Sequence, residues 1–228
     1  MNSKLDELLR RSPLLWRGRD LKARANGLST GFKELDRILP AGGWPLGAIV
    51  EIMFPQPGVG ELQLLLPAIA DLGQAEQWVV LIDPPFIPYA PALEAAGVNL
   101  EFVLAVRAQR AAASSAHGRD RLWSMEQALR TPGCGMVLCW IDAVADKAVR
   151  RLQLAAESAC SIGVLFTSCL PGPAPLSFSP AALRLWLQAV MPGGGCSDSR
   201  CRPVARRLLV QVLKARGSSV FRHVEITV

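Results

Sequence analysis

Apolar strand-like segments alternate with helical segments along much of the chain, and this order restricts the fold more than any other feature. The strand-like runs are 48–53, 78–83, 100–106, 135–142 and 162–168. The helical segments that separate them are 60–72, 89–96, 119–130 and 144–160. Strands that are apolar on both faces and joined by helices are typical of a parallel sheet with helices on both faces. We therefore predict an α/β fold.

The pattern changes after residue 168. The segment "CLPGPAPLSFSP" (169–180) is rich in proline, and strand-like runs then return in 183–191 and in the last part of the chain. The last two runs flank "RGSS" and predict a hairpin on the edge of the sheet. In "RRLLVQVLK" one face of the strand carries Arg206, Leu208, Val210, Val212 and Lys214, and we expect its apolar middle to face the core and its charged ends to reach solvent.

These segments divide the chain into three parts. Residues 1–26 are expected to form a short helix and a basic arm, and residues 27–192 the mainly parallel α/β core. Residues 193–228 are expected to form a basic loop and a β-hairpin that packs on the same domain.

Composition argues against a membrane protein and against a metal site. The chain has 228 residues, and none of its apolar runs reaches the ~18 residues that a membrane span requires. Its first residues have no apolar core of the kind found in secretion signals, so we expect a cytoplasmic protein. With two histidines and no C-x-x-C pair, we expect no metal. The close pair Cys196 and Cys201 is interpreted as loop thiols, with a disulfide or a metal site as less favoured alternatives.

Basic residues are concentrated at the two ends of the chain, although the formal net charge is only +6. Residues 146–228 carry eleven basic and four acidic side chains. Such an excess favours nucleic acid or an acidic protein surface as a partner, and a merely solvated face is the alternative. The candidate contacts are Arg200, Arg202, Arg206, Arg207, Lys214, Arg216 and Arg222. Trp16 and Trp44, which lie in polar or turn contexts, are candidate partner anchors.

The segment "FPQPGVGELQLLL" (54–66) follows a strand and precedes a helix, which is the setting of a phosphate-binding loop. In such loops a lysine contacts the phosphates and the next residue's hydroxyl binds Mg²⁺, but here Glu61 and Leu62 stand at these positions. Glu61 is expected in the first turn of the following helix, near the positive end of its dipole. Pro67 is expected to kink that helix unless the helix begins there.

The segment "GLSTGFKELDRILPAGGWPLGAIVEIMFP" (27–55) resembles the entry to the RecA core, and "MVLCWIDAVAD" (136–146) resembles its Walker B strand. The resemblance places Asp142 at the Walker B position, but Pro85 and Cys169 stand where the family has its catalytic glutamate and its γ-phosphate-sensing glutamine. It therefore implies a RecA-like fold that is not an enzyme, with no catalytic residue and no cofactor. Gly58, Gly60, Glu61 and Asp142 are then remnants of a nucleotide site.

With its "PGVGELxLLLP" segment and its terminal "VLKARG" hairpin, the chain resembles the ImuA family. This resemblance implies a non-catalytic adaptor in SOS-induced translesion synthesis and damage-induced mutagenesis. It implies contacts with ImuB and RecA, an indirect association with an error-prone C-family polymerase, and association with the nucleoid after DNA damage. Weak non-specific DNA binding is expected as a by-product.

Two alternatives remain open at this point. A SulA-type cell-division inhibitor also has a degenerate RecA-like core and binds the tubulin-like division protein. The length of the chain and its basic termini lead us to prefer ImuA. The second alternative is a DNA-repair ATPase with an unconventional phosphate loop.

Overall fold

The computed structural model of the chain describes residues 27–107, 116–169, 179–190, 207–216 and 222–228. The strands in these ranges are β1 (Gly27–Leu28), β2 (Trp44–Pro45), β3 (Ala48–Phe54), β4 (Trp78–Ile82), β5 (Val103–Val106), β6 (Cys134–Trp140), β7 (Ile162–Ser168), β8 (Leu183–Val190), β9 (Arg207–Ala215) and β10 (Arg222–Thr227). The α-helices are α1 (Lys33–Ile38), α2 (Leu66–Gln74), α3 (Ala90–Ala95), α4 (Ala116–Arg130) and α5 (Asp146–Ala159). None of the helices in these ranges is long and apolar enough to cross a membrane.

The main sheet has the spatial order β10-β9-β8-β3-β7-β6-β4-β5. Every neighbouring pair from β8 to β5 is parallel, whereas β9 is antiparallel to both β8 and β10. The expected α/β architecture, with a largely parallel sheet and antiparallel strands at one edge, is therefore confirmed.

Strand β3 lies between β7 and β8 and is paired with both in parallel. All of its residues except Glu51 are buried, as its continuous apolar sequence predicts. The buried side chain of Gln153 on α5 fixes the beginning of this strand. Its Oε1 accepts a hydrogen bond from Ile49 N at 3.0 Å, and its Nε2 donates to the Gly47 carbonyl at 3.0 Å.

Helices cover both faces of the parallel part of the sheet. On one face, Leu35 of α1, Ile69 of α2 and Leu93 of α3 pack in a cluster with Val50 and Ile52 of β3. On the other face, residues of α4 and α5 pack against β3, β6 and β7. Members of this second cluster are Met125, Leu129, Leu152, Ile49, Val137 and Leu165. Two hydrophobic layers thus enclose one sheet.

The N-terminus of α1 is stabilised by a carboxylate from within the helix rather than by the residue that precedes it. The residue that precedes the helix, Phe32, makes no side-chain cap bond. Instead, Asp36 reaches back from within the helix, and its carboxylate accepts hydrogen bonds from Ser29 Oγ and from Thr30 N, both at 2.9 Å. A carboxylate near the positive end of a helix is a favourable placement, so the "LD" pair stabilises this entry segment.

The burial predicted for the middle of β9 is confirmed for Leu208, Val210 and Val212, but the alternation is interrupted beyond Val212. The pairing of β8 with β9 shifts by one residue between Arg184 and Leu185. Because an extra residue reverses the alternation of side chains, Ala215 rather than Lys214 joins the core cluster with Val212.

The helix that follows the loop after β3 begins later than its sequence pattern predicts. A 3-10 turn (Gln63–Leu65) leads into α2, whose first turn contains Pro67. Proline is well tolerated at this position because the first helical N–H groups have no intrahelical partner, so the alternative of a helix start at Pro67 is the one observed. Leu65 and Ile69 face the core, with exposures of 0% and 3%.

We predict that Leu65→Asp unfolds the protein or lowers its free energy of unfolding by about 3–5 kcal/mol, because it places a carboxylate in a fully buried apolar site. Leu154 on α5 is 65% exposed and provides a matched control. Leu154→Asp should change the stability by less than about 0.5 kcal/mol. Urea denaturation followed by circular dichroism measures both, and equal midpoints for Leu65→Asp and wild type would contradict the packing of α2.

Candidate functional site

The carboxyl ends of the parallel strands carry the candidate site. The loop 55–62 follows β3, Asp83 follows β4, and Asp142 lies two residues beyond β6. Ligands of open parallel sheets bind at this edge, because the connecting loops of neighbouring strands meet there. The edge therefore brings together the loop and Asp142, as expected from the sequence.

The side chain of Glu61 fills the centre of this loop. Its carboxylate accepts hydrogen bonds from Gly58 N at 2.9 and 3.0 Å and from Gly60 N at 3.1 Å. Both glycines have positive φ, +90° for Gly58 and +116° for Gly60, a region that side-chain-bearing residues rarely adopt. The residue is only 4% exposed. The backbone amides that could bind a phosphate oxygen in a loop of this kind are thus occupied by a carboxylate of the same chain.

This geometry corrects the prediction that Glu61 belongs to the first turn of the following helix. Glu61 precedes both the 3-10 turn and α2, and its side chain turns back into the loop. The hydrogen bonds that Glu61 accepts from Gly58 N and Gly60 N stabilise its charge, and the helix dipole does not account for it.

A second acidic residue at this edge is also neutralised internally. Asp83 accepts a hydrogen bond from Arg121 Nε of α4 at 2.7 Å, and Arg121 Nη1 donates to the Trp140 carbonyl at 3.3 Å. The backbone of Asp83 has φ +46°, a left-handed conformation that Asp tolerates better than most residues. This ion pair fixes the end of β4 to α4 and β6. No motif or spacing in the sequence indicates Arg121 as its partner.

Between the loop and this ion pair lies a small cleft of about 170 Å³. Its walls include Pro57, Asp83, Arg121, Asp142 and Ser168. Asp142 is exposed, and within the described ranges no group of three or more His, Cys, Asp and Glu side chains is arranged to hold a metal ion. The neighbouring thiol of Cys139 is buried in the strand, and this burial raises its pKa to about 12. Cys139 is therefore protonated at neutral pH and is a core residue.

A second cleft, of about 210 Å³, lies on the other side of Trp140, between loop residues 58–63 and the proline-rich segment 84–89. The segment exposes three large apolar side chains, with exposures of 65% for Phe86, 77% for Ile87 and 71% for Tyr89. None of these three residues was predicted as a site residue from the sequence. The sequence feature that could have identified them is the run "DPPFIPYAP", because its prolines prevent regular structure that could bury the apolar residues.

The basic residues of the terminal hairpin do not form one cluster within the described part of the chain. Arg207 is at the first residue of β9, whereas Arg216 follows its last residue and Arg222 pairs with Val212. At 3.2–3.4 Å per strand residue, Arg207 and Arg216 are roughly 30 Å apart along the strand. Arg200, Arg202, Arg206 and Trp16 lie outside the described residues, as do Cys196 and Cys201.

Lys214 belongs to a network of charged residues across the sheet. Glu51, Arg184 and Lys214 are lateral neighbours on β3, β8 and β9. Arg184 Nε lies 2.7 Å from Glu51 Oε2, while Ser179 Oγ donates to Glu51 Oε1 at 2.6 Å. Lys214 Nζ donates to the Ser179 carbonyl. Burial lowers the pKa of Lys214, and the Glu51 carboxylate opposes this shift. The Lys214 ammonium thus belongs to the network that links β8 and β9 to Glu51, and because it is only half-buried, its role as a contact stays a prediction.

Trp44 is likewise not a surface anchor. It pairs with Leu28 in the small β1–β2 sheet and is fully buried in the core cluster that contains Leu35. The turn-like sequence around it, "AGGWPLG", suggested exposure, but the side chain packs inward because β1 and β2 hold this turn against the domain.

The fold and the site define a class of protein: a mixed α/β protein whose phosphate-loop-like turn is closed by its own glutamate. Comparison with known proteins then identifies the family. The family model described as "Cell division inhibitor SulA" matches residues 47–163, which include β3, the loop and β7 up to Gly163. The chain belongs to the SulA cell division inhibitor family.

Individual relatives agree with this assignment. The chain is 33% identical over 137 residues to the cell division inhibitor SulA of Cronobacter sakazakii, an alignment that covers 58% of this chain and 77% of the relative. It is 34% identical over 102 residues to SulA of Edwardsiella piscicida, covering 45% of this chain and 56% of that protein. Among solved structures, SulA from Pseudomonas aeruginosa is similar with 24% identity and a TM-score of 0.42, over 53% of this chain and 98% of that one.

The comparisons overturn the interpretation of the chain as a translesion-synthesis adaptor of the ImuA family. The predicted role in mutagenesis and the contacts with ImuB, RecA, DNA and the C-family polymerase are therefore wrong. The "PGVGELxLLLP" segment lies inside the region matched by SulA. The basic termini and the "VLKARG" hairpin, which led to the preference for ImuA, lie outside it and did not discriminate between the two families.

We predict that Glu61→Gln lowers the free energy of unfolding by about 1–3 kcal/mol, because hydrogen bonds to a buried charged acceptor are stronger than those to an amide. Glu94→Gln, on the exposed side of α3, is the matched control and should leave stability unchanged. Urea denaturation of the three proteins measures the difference. A Glu61→Gln midpoint equal to that of wild type would show that the carboxylate does not hold the loop.

Proposed function

We propose that this protein inhibits cell division by binding the tubulin-like division protein, and that it does so without catalysis. The observation that carries the proposal is its 33% identity to a cell division inhibitor across 77% of that relative. Binding without catalysis is consistent with the loop geometry, because the Glu61 carboxylate occupies backbone amides at which a phosphate oxygen would bind. Under this proposal, the loops that follow the carboxyl ends of the parallel strands form a contact surface.

We also propose that the core derives from a RecA-like arrangement that has lost its nucleotide. Three features support this view: the loop follows the central strand β3, Asp142 follows β6, and parallel strands flank both. The residues that would contact the phosphates and the metal are replaced by Glu61 and Leu62, and a carboxylate already bound to the loop amides repels a phosphate.

Expression in an otherwise undamaged bacterial host tests the proposed function. We expect cells to grow as filaments, because an inhibitor of the division protein prevents septum formation while growth continues. Leu154→Asp should give filaments as wild type does, and Leu65→Asp should not, because it does not fold. Cells of normal length at a confirmed level of soluble wild-type protein would contradict the proposal.

A further prediction concerns the hydrolysis of ATP. Purified protein should show no ATP hydrolysis above background, since no lysine or hydroxyl follows Gly60 in the loop. Glu61→Lys alone should not create turnover, because Leu62 and Pro85 still lack the chemistry of a metal ligand and a general base. Release of inorganic phosphate from ATP measures both. Hydrolysis by wild type that Asp142→Ala abolishes would refute this proposal.

A further inference from the structure

An apolar groove of about 190 Å³ lies at the amino ends of β3 and β8, at the opposite end of these strands from the candidate site. We refer to it as the amino-end groove. Leu46 on its rim is 47% exposed. An apolar cavity of roughly 150 Å³ holds a benzene molecule, so this groove has room for one or two leucine side chains. Its apolar lining includes Leu39, Ala41, Pro45, Leu46, Leu183 and Ala215.

The polar residues of the groove already have partners, which defines the chemistry of an occupant. Gln153 bonds to Ile49 N and to the Gly47 carbonyl. Arg216 is the one charged residue of the lining, and its Nη1 lies 3.9 Å from Glu157 Oε1 outside the groove. Because the remaining lining is apolar, the occupant that gains most from this groove is an uncharged apolar side chain.

The described part of the chain begins at the wall of this groove. Gly27 N donates to the Ala41 carbonyl at 3.0 Å, and Gly27 pairs with Pro45 in the β1–β2 sheet. Both of these partners line the groove. The approach is close, since a Cβ atom on Gly27 would lie 3.1 Å from the Cβ of Ala41. Residues 1–26 are therefore attached to the domain beside two residues of the groove wall.

This N-terminal segment carries apolar side chains at helical spacing. Leu5, Leu8 and Leu9 stand at positions i, i+3 and i+4. In a helix these three leucines share one face, and the charged residues between and around them occupy the others. A helix shorter than ~12–15 residues is marginal in water by itself, so such a stripe requires an apolar surface. The charged residues are Lys4, Asp6, Glu7, Arg10 and Arg11.

The groove is within reach of this stripe. Residues 10–26 connect the stripe to Gly27, and a chain of this length spans at most about 60 Å. A tether of this kind holds the stripe near the groove at an effective concentration on the order of millimolar. The segment is therefore favoured over a free apolar peptide as the occupant.

We propose that residues 3–11 form an amphipathic helix that packs Leu5, Leu8 and Leu9 into the amino-end groove, against Leu46 and Leu183. This inference does not depend on the proposed function. The contact closes the amino end of the sheet with the chain's own N-terminal segment. It leaves the loops at the carboxyl ends of the strands, including residues 55–62, free for a partner.

The first experiment measures limited trypsin cleavage of the purified full-length chain at Arg10 and Arg11, followed by the masses of the products. Leu46→Asp should raise the cleavage rate about fivefold or more, because cleavage follows the fraction of molecules in which the segment is undocked. Leu154→Asp is the matched control, at a residue on α5 that is 65% exposed and does not line the groove. It should be cleaved at the wild-type rate, and thermal melting verifies that both variants are folded.

The second experiment changes the segment instead of the groove, so it remains decisive if Leu46→Asp fails to fold. Leu8→Ala keeps a high helix propensity but removes apolar surface, and it should raise the same cleavage rate several-fold. Glu7→Ala, beside the stripe, is the control and should leave the rate unchanged. The double variant of Leu8→Ala with Leu46→Asp should be cleaved no faster than Leu46→Asp alone, because both changes remove one contact.

Three outcomes would overturn the inference. The first is wild-type cleavage rates in both Leu46→Asp and Leu8→Ala. The second is a double variant whose rate is raised by the product of the two single effects, since independent effects exclude a shared contact. The third is protection of wild type that disappears on dilution, because the segment then occupies the groove of a second copy of the chain. None of these outcomes bears on filament formation, which tests the proposed function separately.

Discussion

The parallel pairing of β3 on both of its sides is the constraint on which the rest of the structure depends. Because β7 and β8 take up its hydrogen bonds, β3 is surrounded by sheet on both edges and by apolar layers on both faces. Such a strand cannot slip by one residue without turning a complete set of apolar side chains to the wrong layer. The loop that follows it therefore leaves the sheet at a fixed point, which is a requirement for any site built on its backbone amides.

One buried network is the exception within this apolar layer, and it has a structural explanation. Glu51 is the only residue of β3 that is not fully buried, and its ion pair with Arg184 joins β3 to β8. The bulge in β9 brings Lys214 to the same row. Breaking such a pair by removing one partner is costly, because it leaves an uncompensated charge in a poorly hydrated site. The network thus ties the antiparallel edge to the parallel part of the sheet.

Much of the fold could be predicted from sequence because its signals are local. The continuous apolar runs located β3, β4, β6 and β7 to within two residues, and the parallel sheet follows from their alternation with helices. The bulge at Lys214 could not be predicted, since it depends on the register between β8 and β9. Trp44 was misjudged for a similar reason: a turn sequence indicates a change of chain direction but not which side of it meets the core.

The residues of the candidate site could be predicted from the sequence, but their arrangement and their role could not. The sequence shows that Glu61 replaces a lysine, but only the structure shows that its carboxylate returns to Gly58 and Gly60. The partner of Asp83, Arg121, is 38 residues away, and no spacing rule connects them. The choice between two families that share a degenerate loop depended on the charged termini, and an excess of charge carries little information about the fold.

The glutamate in the loop has a consequence for how such a protein can be regulated. A ligand attached to the same chain acts at an effective concentration far above that of any free anion, so the loop keeps one conformation whatever the supply of nucleotide. A nucleotide-bound protein of this architecture can alternate between two states as its ligand is hydrolysed, and a loop closed by its own carboxylate cannot. Under the proposed function, the occupancy of the partner would then be set by the concentrations of the two proteins.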